Sequence, residues 1–225
     1  MCDQSIAGAE KLDRSYVFIL TYGRSGSTLL MSIINSSPEC IVRGENGGAL
    51  YALFESYRRI KEGQIGREMT SQRATSPWWG IAEVSLDEYA RDLGQTLTRH
   101  IIRPSSEHRI CGFKEIRFSQ RDAPDLKGYL DFLRTAFPSV KIIFNHRRLE
   151  DVSKSKWWAQ KPDALQELNA IDQRFREFPS SDSVFHFSYD RCLADRTHVQ
   201  ELFSFLGVTY DVTLLDDVFD TRHSY

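Results

Sequence analysis

The chain has 225 residues, of which 41% are hydrophobic and 27% charged, a balance typical of a soluble globular protein. This length suffices for one well-cored α/β domain, and we expect residues 1–225 to form a single domain because no repeat or long linker interrupts them. The formal net charge of −2 argues against nucleic-acid binding through bulk positive charge, so any anion site must be built from a few local groups.

The predicted elements alternate short apolar runs with longer amphipathic segments. The pattern predicts strands at 16–22, 40–43, 109–116, 140–145 and 184–189, and helices at 28–35, 48–61, 86–103, 126–136 and 199–206. Residues 62–80 are polar and contain glycine, which predicts an irregular excursion. Strands that alternate with helices predict a layered α/β fold with a parallel sheet, whose strand ends are the expected place for a ligand.

Cysteine usage and the N-terminal segment bear on the compartment. The four cysteines, Cys2, Cys40, Cys111 and Cys192, are scattered without a CxxC pair, which predicts free thiols in a reducing compartment and no zinc site. The first fifteen residues lack the apolar core of a signal peptide, and no run of about 18 apolar residues follows. We therefore expect a cytoplasmic protein with no membrane partner.

A short loop of small and polar residues lies where the first strand gives way to the first helix. Its members are Gly23, Arg24, Ser25, Gly26, Ser27 and Thr28. Small residues let backbone N–H groups converge on an anion, and the helix N-terminus adds the positive end of its dipole. Ser27 and Thr28 supply hydroxyl donors and Arg24 a permanent charge, so the loop predicts an anion site; an ordinary strand–helix turn is the alternative.

The loop departs from the Walker A pattern GxxxxGK[ST], because no lysine precedes Ser27 or Thr28. A kinase must hold a triphosphate and its Mg²⁺, whereas a sulfuryl group carries fewer charges and can be served by arginine and backbone donors. The segment Tyr22–Leu30 resembles the 5′-phosphosulfate loop of sulfotransferases that use 3′-phosphoadenosine 5′-phosphosulfate (PAPS), in the version found in tyrosylprotein, carbohydrate and many bacterial members. The resemblance implies a three-layer, P-loop NTPase-like fold, PAPS as co-substrate and no metal.

Two further segments extend the resemblance over residues 16–207. Arg147 follows the strand at 140–145, and Ser155 comes eight residues later, on the helix expected to follow. An arginine that binds two oxygens and a nearby hydroxyl suit a dianionic phosphate, and the spacing resembles the family's 3′-phosphate motif, whereas Arg148 is one residue short of it. A solvated helix face is the alternative. Tyr189 lies in a segment that resembles the late family segment whose tyrosine is near the nucleotide; a core or rim tyrosine is the alternative.

Sulfuryl transfer needs a base for the acceptor proton and positive charge on the leaving phosphate oxygen. Arg24 is placed to meet that oxygen. Glu45 is our candidate base because glycines on both sides let its carboxylate face an open cleft, and the resemblance also implies a catalytic glutamate in this region. The tyrosylprotein pattern has two glutamates after the glycine, where this chain has Glu45 and Asn46. A surface or helix N-terminal charge is the alternative.

Three other residues stay open as the base or charge stabiliser. Lys114 and Glu115 point to opposite faces of one strand, so only one can face the cleft. Nearby Arg117 could meet an anionic acceptor. His146 could act as a base, as histidine does in the cytosolic sulfotransferases, although a lone histidine at a strand end is more often structural.

Together with the anion-site residues, the resemblance implies a sulfotransferase that moves a sulfuryl group from PAPS to a hydroxyl acceptor, either a small molecule or a glycan, without a metal. Two alternatives remain open. One is a P-loop nucleotide kinase or NTPase with a degenerate loop, and the other is a non-catalytic relative that binds a nucleotide or glycan. Neither nucleic acid nor membrane is expected as a partner, and no residue fixes the acceptor.

Overall fold

The structure, a computed structural model, describes residues 14–221. These residues form one five-stranded sheet in the order β2-β3-β1-β4-β5, in which every neighbouring pair is parallel. The strands are β1 Ser15–Leu20, β2 Cys40–Arg43, β3 Ile110–Glu115, β4 Val140–His146 and β5 Val184–Ser188. The helices are α1 Ser27–Asn35, α2 Ala49–Gln64, α3 Leu86–Leu97, α4 Leu126–Ala136, α5 Leu149–Ser153, α6 Ala164–Arg176, α7 Tyr189–Ala194, α8 Thr197–Leu206 and α9 Val212–Asp220.

Helices cover both faces of the sheet, which explains why the central strands read as continuous apolar runs. Along β1, Phe18 and Leu20 face the core shared with α2, α3, α4 and α6, whereas Val17 and Ile19 face α1, α8 and α9. All four side chains are at most 1% exposed. The predicted three-layer α/β fold with a parallel sheet is confirmed.

The predicted elements largely match the structure. All five strands are confirmed to within two residues at either end, and so are α1, α4 and α8. The predicted helix at 86–103 is an α-helix to Leu97 that widens into one π-helical stretch, Thr98–Ile102. The irregular segment predicted at 62–80 is confirmed from residue 65 onwards, because α2 continues to Gln64. Two short 3₁₀ stretches follow, Thr70–Gln72 and Ile81–Glu83. A helix after β4 was expected and is found as α5, whereas the sequence pattern missed α6, α7 and α9.

The topology brings the loops after β1 and β4 together. The chain leaves β1 towards β2 on one side of the sheet and leaves β4 towards β5 on the other. Adjacent parallel strands whose connections depart in opposite directions leave a crevice at their carboxyl ends, where ligands of such folds bind. The loop 23–28 and Arg147 lie at this crevice.

Three of the four cysteines fall within the described residues, and Cys2 lies outside them. Cys40, Cys111 and Cys192 are buried and free, and burial raises the pKa of each thiol to about 11. Buried, protonated thiols are chemically inert, and these three agree with the prediction of free thiols. Across residues 14–221, none of the helices combines the length and the apolar character needed to cross a bilayer.

Candidate functional site

The loop 23–28 wraps around an open space through two left-handed residues. Arg24 has φ 68° and Gly26 has φ 80°, and α1 begins directly after Gly26 without a side-chain cap. Within the part of the chain that the structure describes, the backbone N–H groups of residues 25–28 donate to no backbone carbonyl. Unpaired N–H groups at the start of a helix form a ready-made anion site.

The loop is anchored from below by its own serine. The Ser25 side chain is fully buried, and its hydroxyl accepts from Thr21 Oγ1 at 2.7 Å and from Asn145 Nδ2 at 2.9 Å. Asn145 Nδ2 also donates to the Ser25 carbonyl at 3.1 Å. The Ser25 side chain thus ties the end of β1 to β4 and, because it is fully buried, does not line the cleft above it.

Two aromatic rings cover the glycines of the loop. A Cβ added to Gly23 would lie 2.4 Å from the ring of Trp157, and one added to Gly26 would lie 2.1 Å from the ring of Tyr189. The neighbouring Trp158 is buried and donates its indole N–H to the Gly23 carbonyl at 2.9 Å. A larger residue at either position would have to displace a ring, and at Gly26 it would also have to adopt a left-handed backbone.

Arg147 and Ser155 both reach Arg24, from different elements. The Arg147 guanidinium lies 4.6 Å from the centre of the Tyr189 ring and donates through Nη1 to the Arg24 carbonyl at 3.0 Å. Its Nε is buried and lacks a hydrogen-bond partner among the described residues. The Ser155 hydroxyl accepts from Arg24 Nε at 3.3 Å. Ser155 was expected on the helix after β4, but α5 ends at Ser153 and Ser155 instead precedes a short 3₁₀ turn.

These groups surround a cavity of about 520 Å³, called here the loop cleft. It is lined by Gly23, Arg24, Gly26, Ser27, Thr28, Leu29, Glu45, Lys114, Ile116, Arg147, Trp157, Tyr189, Leu193, Phe219 and Thr221. Three of the lining residues are cations and one is an anion, so the cleft is locally positive although the chain carries a net charge of −2. Ser25 and Ser155 stand behind this lining rather than in it.

Glu45 enters the loop cleft beside a lysine. Lys114 Nζ lies 2.6 Å from Glu45 Oε1, and Arg117 Nη1 lies 3.8 Å from Oε2. The Lys114 side chain is 9% exposed and the Glu45 side chain 33%, so this ion pair is half-shielded from water. The carboxylate predicted as a base therefore faces the cleft with one oxygen held by the lysine.

Glu115 faces the opposite way, as the alternation of side chains along a strand requires. Its carboxylate accepts from the backbone N–H groups of Gly48 and Ile116, both at 2.8 Å, and from Arg117 Nη1 at 2.7 Å. It thereby caps α2 and lines a second cavity of about 700 Å³ between α2 and residues 115–124, called here the helix pocket. Of the two strand neighbours, only Lys114 lies in the loop cleft.

His146 lies below the loop cleft, in a buried chain of polar groups. Its Nδ1 donates to Asp172 at 2.5 Å, and its Nε2 lies 2.8 Å from Nδ1 of His186. Nε2 of His186 donates to the Phe178 carbonyl at 2.6 Å. Both ring nitrogens of His146 are thus engaged within the protein, one with Asp172 and one with His186, and neither faces the loop cleft. Burial lowers the pKa of His186.

The same chain holds the backbone of Arg147. Arg147 N–H donates to the Tyr22 hydroxyl at 3.0 Å, and the acceptors within reach of that hydroxyl are the Arg147 carbonyl at 3.1 Å and Asp172 at 3.4 Å. Burial would raise the pKa of Asp172, but the hydrogen bonds and charges of His146 and Arg176 outweigh it and lower that pKa. Burial raises the pKa of Tyr22. An ionised Asp172 thus fixes the end of β4, from which Arg147 projects.

Residues 16–212 match the sulfotransferase family. The chain belongs to this family. No curated protein matches it. Among the described residues of this sulfotransferase, no group of three or more His, Cys, Asp and Glu side chains is arranged to hold a metal ion.

Several solved structures are similar to this sulfotransferase, and because their sequence identities are low, the similarity is evidence for the fold alone. The sulfotransferase domain of the olefin synthase from Synechococcus PCC 7002 is 15% identical, with 95% of this chain and 80% of that one covered and a TM-score of 0.53. The sulfotransferase domain from the curacin biosynthetic pathway is 14% identical, with 93% and 79% covered and a TM-score of 0.49. Sulfotransferase STF9 from Mycobacterium avium is 14% identical, with 92% and 67% covered and a TM-score of 0.47. The P-loop-like sulfotransferase fold is confirmed by the first of these.

Sequence reasoning missed several residues that shape the cleft. Asn145 and Asp172 carry no motif of their own, since each acts by supporting a residue more than twenty positions away. Trp157 lies in no recognised motif, and its contact with Gly23 depends on the turn after α5. Phe219 reaches the cleft from α9, a helix that the pattern did not reveal. For α9, the Asp211 cap followed by apolar residues at helical spacing was the available signal.

Proposed function

We propose that this sulfotransferase takes the sulfuryl group from PAPS and passes it to a hydroxyl of a small-molecule or glycan acceptor, without a metal ion. The observation that carries this proposal is the convergence of three elements on one positive cleft. Unpaired N–H groups of residues 25–28, the buried Nε of Arg147 and the Tyr189 ring all meet there. A nucleotide with phosphates at two ends and a flat base suits such a set of groups.

In this proposal the loop 23–28 holds the 5′-phosphosulfate through its N–H groups and the dipole of α1. Arg147 and Ser155 hold the 3′-phosphate. The Arg147 Nε has no hydrogen-bond partner among the described residues, so it can donate to a phosphate oxygen. The Ser155 hydroxyl lies 3.3 Å from Arg24 Nε, at the edge of the same group of donors. The Tyr189 ring, stacked on Arg147, closes the nucleotide side. Ser25 contributes its N–H and keeps the loop in shape through its buried hydroxyl.

The transfer forms one bond from the acceptor oxygen to sulfur while the bond between sulfur and the 5′-phosphate oxygen breaks. Glu45 takes the acceptor proton and releases it to solvent after the ester leaves. Arg24 meets the charge on the leaving phosphate oxygen, and Lys114 supplies positive charge beside the sulfuryl oxygens while it orients Glu45. The products are a sulfate ester and adenosine 3′,5′-bisphosphate.

Nucleotide binding tests the donor half of the proposal. Calorimetry with adenosine 3′,5′-bisphosphate in excess chelator should give a saturable signal that added Mg²⁺ leaves unchanged. ATP with Mg²⁺ should bind far more weakly, because the loop lacks the lysine that a triphosphate site needs. Absence of bisphosphate binding at millimolar concentration, or tight binding of Mg·ATP alone, would favour the kinase-like alternative instead.

Replacing Glu45 by Gln tests the catalytic half. The substitution keeps size and removes the base, so transfer from labelled PAPS should fall by roughly 10²- to 10⁴-fold while bisphosphate affinity stays the same. Glu107→Gln is the matched control, because Glu107 is exposed at the opposite end of β3. Transfer that survives in Glu45→Gln would exclude Glu45 as the base. A wild-type protein that binds nucleotide and transfers to no acceptor would be a non-catalytic relative.

A further inference from the structure

The helix pocket shares a wall with the loop cleft. Glu45 lines the loop cleft, whereas the next three residues, Asn46, Gly47 and Gly48, line the helix pocket. Arg117 lines the helix pocket as well and lies 3.8 Å from the Glu45 carboxylate. A molecule in the helix pocket therefore has one end beside the candidate base.

The carboxylates that line the helix pocket already have donors. Glu55 accepts from Arg58 at 2.8 and 3.1 Å, and this contact lowers the pKa of Glu55. Glu115 accepts from three N–H groups, two of the backbone and one of Arg117. Asp122 accepts from the Ser119 hydroxyl at 2.7 Å. Five of the six carboxylate oxygens of these three residues therefore already accept a hydrogen bond from the protein, and Asp122 Oδ1 is the exception.

The unsatisfied groups of the helix pocket are donors. Arg59 and Arg121 line it, and within residues 14–221 neither forms an ion pair or a side-chain hydrogen bond. Asn46 is oriented by Ala49, whose N–H donates to the Asn46 Oδ1 at 2.9 Å. The Asn46 Nδ2 is consequently turned into a buried position, where it has no partner among the described residues. A buried amide donor without a partner costs free energy that an incoming acceptor oxygen would recover.

We propose that the helix pocket binds the acceptor of the reaction, and that this acceptor is an elongated hydroxyl compound with an anionic group at the end far from its reacting hydroxyl. The inference rests on the proposed sulfuryl transfer. Arg59 lies eleven residues beyond Gly48 on α2, about 16 Å along the helix axis. Arg59 and Arg121 bind the anion, Asn46 binds an oxygen near the reacting end, and Glu45 meets the hydroxyl.

The aromatic walls indicate what lies between the two ends. Tyr51, Phe118 and Tyr129 line the pocket, and the latter two are at most 2% exposed, so they form its floor. Their rings suit an apolar or ring-containing middle segment rather than a fully hydrated chain. Ligand pockets commonly combine such walls with a few placed polar groups.

Binding to the protein saturated with adenosine 3′,5′-bisphosphate tests the inference independently of turnover. The probes are matched pairs that differ in one distal group: 10-hydroxydecanoate against 1,10-decanediol, and 6-(4-hydroxyphenyl)hexanoate against its primary amide. We expect the carboxylate member of at least one pair to bind about tenfold more tightly, the size of one charge-assisted contact. Higher ionic strength should reduce that ratio because both arginines are exposed.

The double variant Arg59→Gln/Arg121→Gln should abolish the preference and leave bisphosphate affinity unchanged. The matched control is Arg73→Gln/Arg91→Gln, which removes the same charge from exposed positions outside the pocket and should keep the preference. Equal affinities within both pairs, a preference that survives in Arg59→Gln/Arg121→Gln, or no binding of any probe would overturn the inference while the donor site stands. Failure of the bisphosphate itself to bind would instead refute the proposed function.

Discussion

Replacing Gly26 by Ala tests the packing of the loop against Tyr189. The new Cβ would lie 2.1 Å from the ring, at a residue with φ 80°. The left-handed backbone costs an alanine about 1–2 kcal/mol, and an overpacked contact adds roughly 1–3 kcal/mol. We expect the free energy of unfolding, measured by urea denaturation, to fall by about 2–5 kcal/mol. The loss should lie near the lower end of this range if the Tyr189 ring moves away from the new Cβ.

A displaced Tyr189 ring no longer lies against Arg147, from which it is 4.6 Å distant in the native protein. Affinity for adenosine 3′,5′-bisphosphate should therefore fall by tenfold or more, because Arg147 loses the ring that holds its guanidinium in place. A tenfold change corresponds to about 1.4 kcal/mol of binding free energy. Calorimetry on protein that remains folded at the assay temperature measures this loss.

Gly207→Ala is the matched control for the backbone contribution. Gly207 has φ 75° at the end of α8, and nothing lies within 4 Å of its added Cβ, so its cost should be the roughly 1–2 kcal/mol of the backbone alone. In a Tyr189→Ala background, Gly26→Ala should cost no more than Gly207→Ala, because the clash is gone. Equal unfolding free energies for Gly26→Ala and Gly207→Ala in the wild-type background, with bisphosphate affinity retained, would refute the packing.

Three further predictions concern groups around the loop cleft. Arg147→Lys should weaken bisphosphate binding by about tenfold because lysine cannot bind two oxygens in a fixed plane, whereas the adjacent, exposed Arg148→Lys should leave it unchanged in the same calorimetric titration. Burial lowers the pKa of His186 below 6.5, so the unfolded chain binds more protons than the folded protein in mild acid. The free energy of unfolding, measured by urea titration, should therefore fall from pH 7 to pH 5. His186→Gln should make the free energy of unfolding depend less on pH over this range. Trp158→Phe should cost about 1 kcal/mol of unfolding free energy through the lost N–H bond to the loop carbonyl, and an equal loss in the exposed Trp78→Phe would contradict that origin.

The sequence predicted the sheet well because the strands are buried on both faces. The predicted strands at 16–22 and 140–145 contain the continuous apolar runs 16–20 and 142–144, and such runs are typical of strands covered by helices on both sides. Helix α6 was missed because it is mostly polar and presents only a narrow apolar edge, including Leu168 and Phe175, to the core. Its Asp172 nevertheless supports Arg147 through Tyr22, so a helix that the sequence pattern missed helps to hold the site.

Parts of the candidate site that are continuous in sequence could be predicted, whereas contacts that depend on the order of strands in the sheet could not. The loop 23–28 is continuous in sequence, so its form could be read directly. The contact between Lys114 and Glu45 joins residues 69 apart, and it exists because β3 lies between β2 and β1. Periodicity predicts that strands pair, but it does not predict which strands become neighbours.

Successive side chains of β3 point to opposite faces of the sheet and, because β3 lies between β2 and β1, they reach different cavities. Lys114 and Glu115 are adjacent in sequence and therefore serve different cavities: the lysine orients Glu45 in the loop cleft, and the glutamate caps α2 at the helix pocket. The loop from Glu45 to Gly48 crosses the same boundary, with the proposed base on one side and the α2 N-terminus on the other. A change of acceptor can consequently be made along α2, at Arg59, without moving the groups proposed to hold the donor.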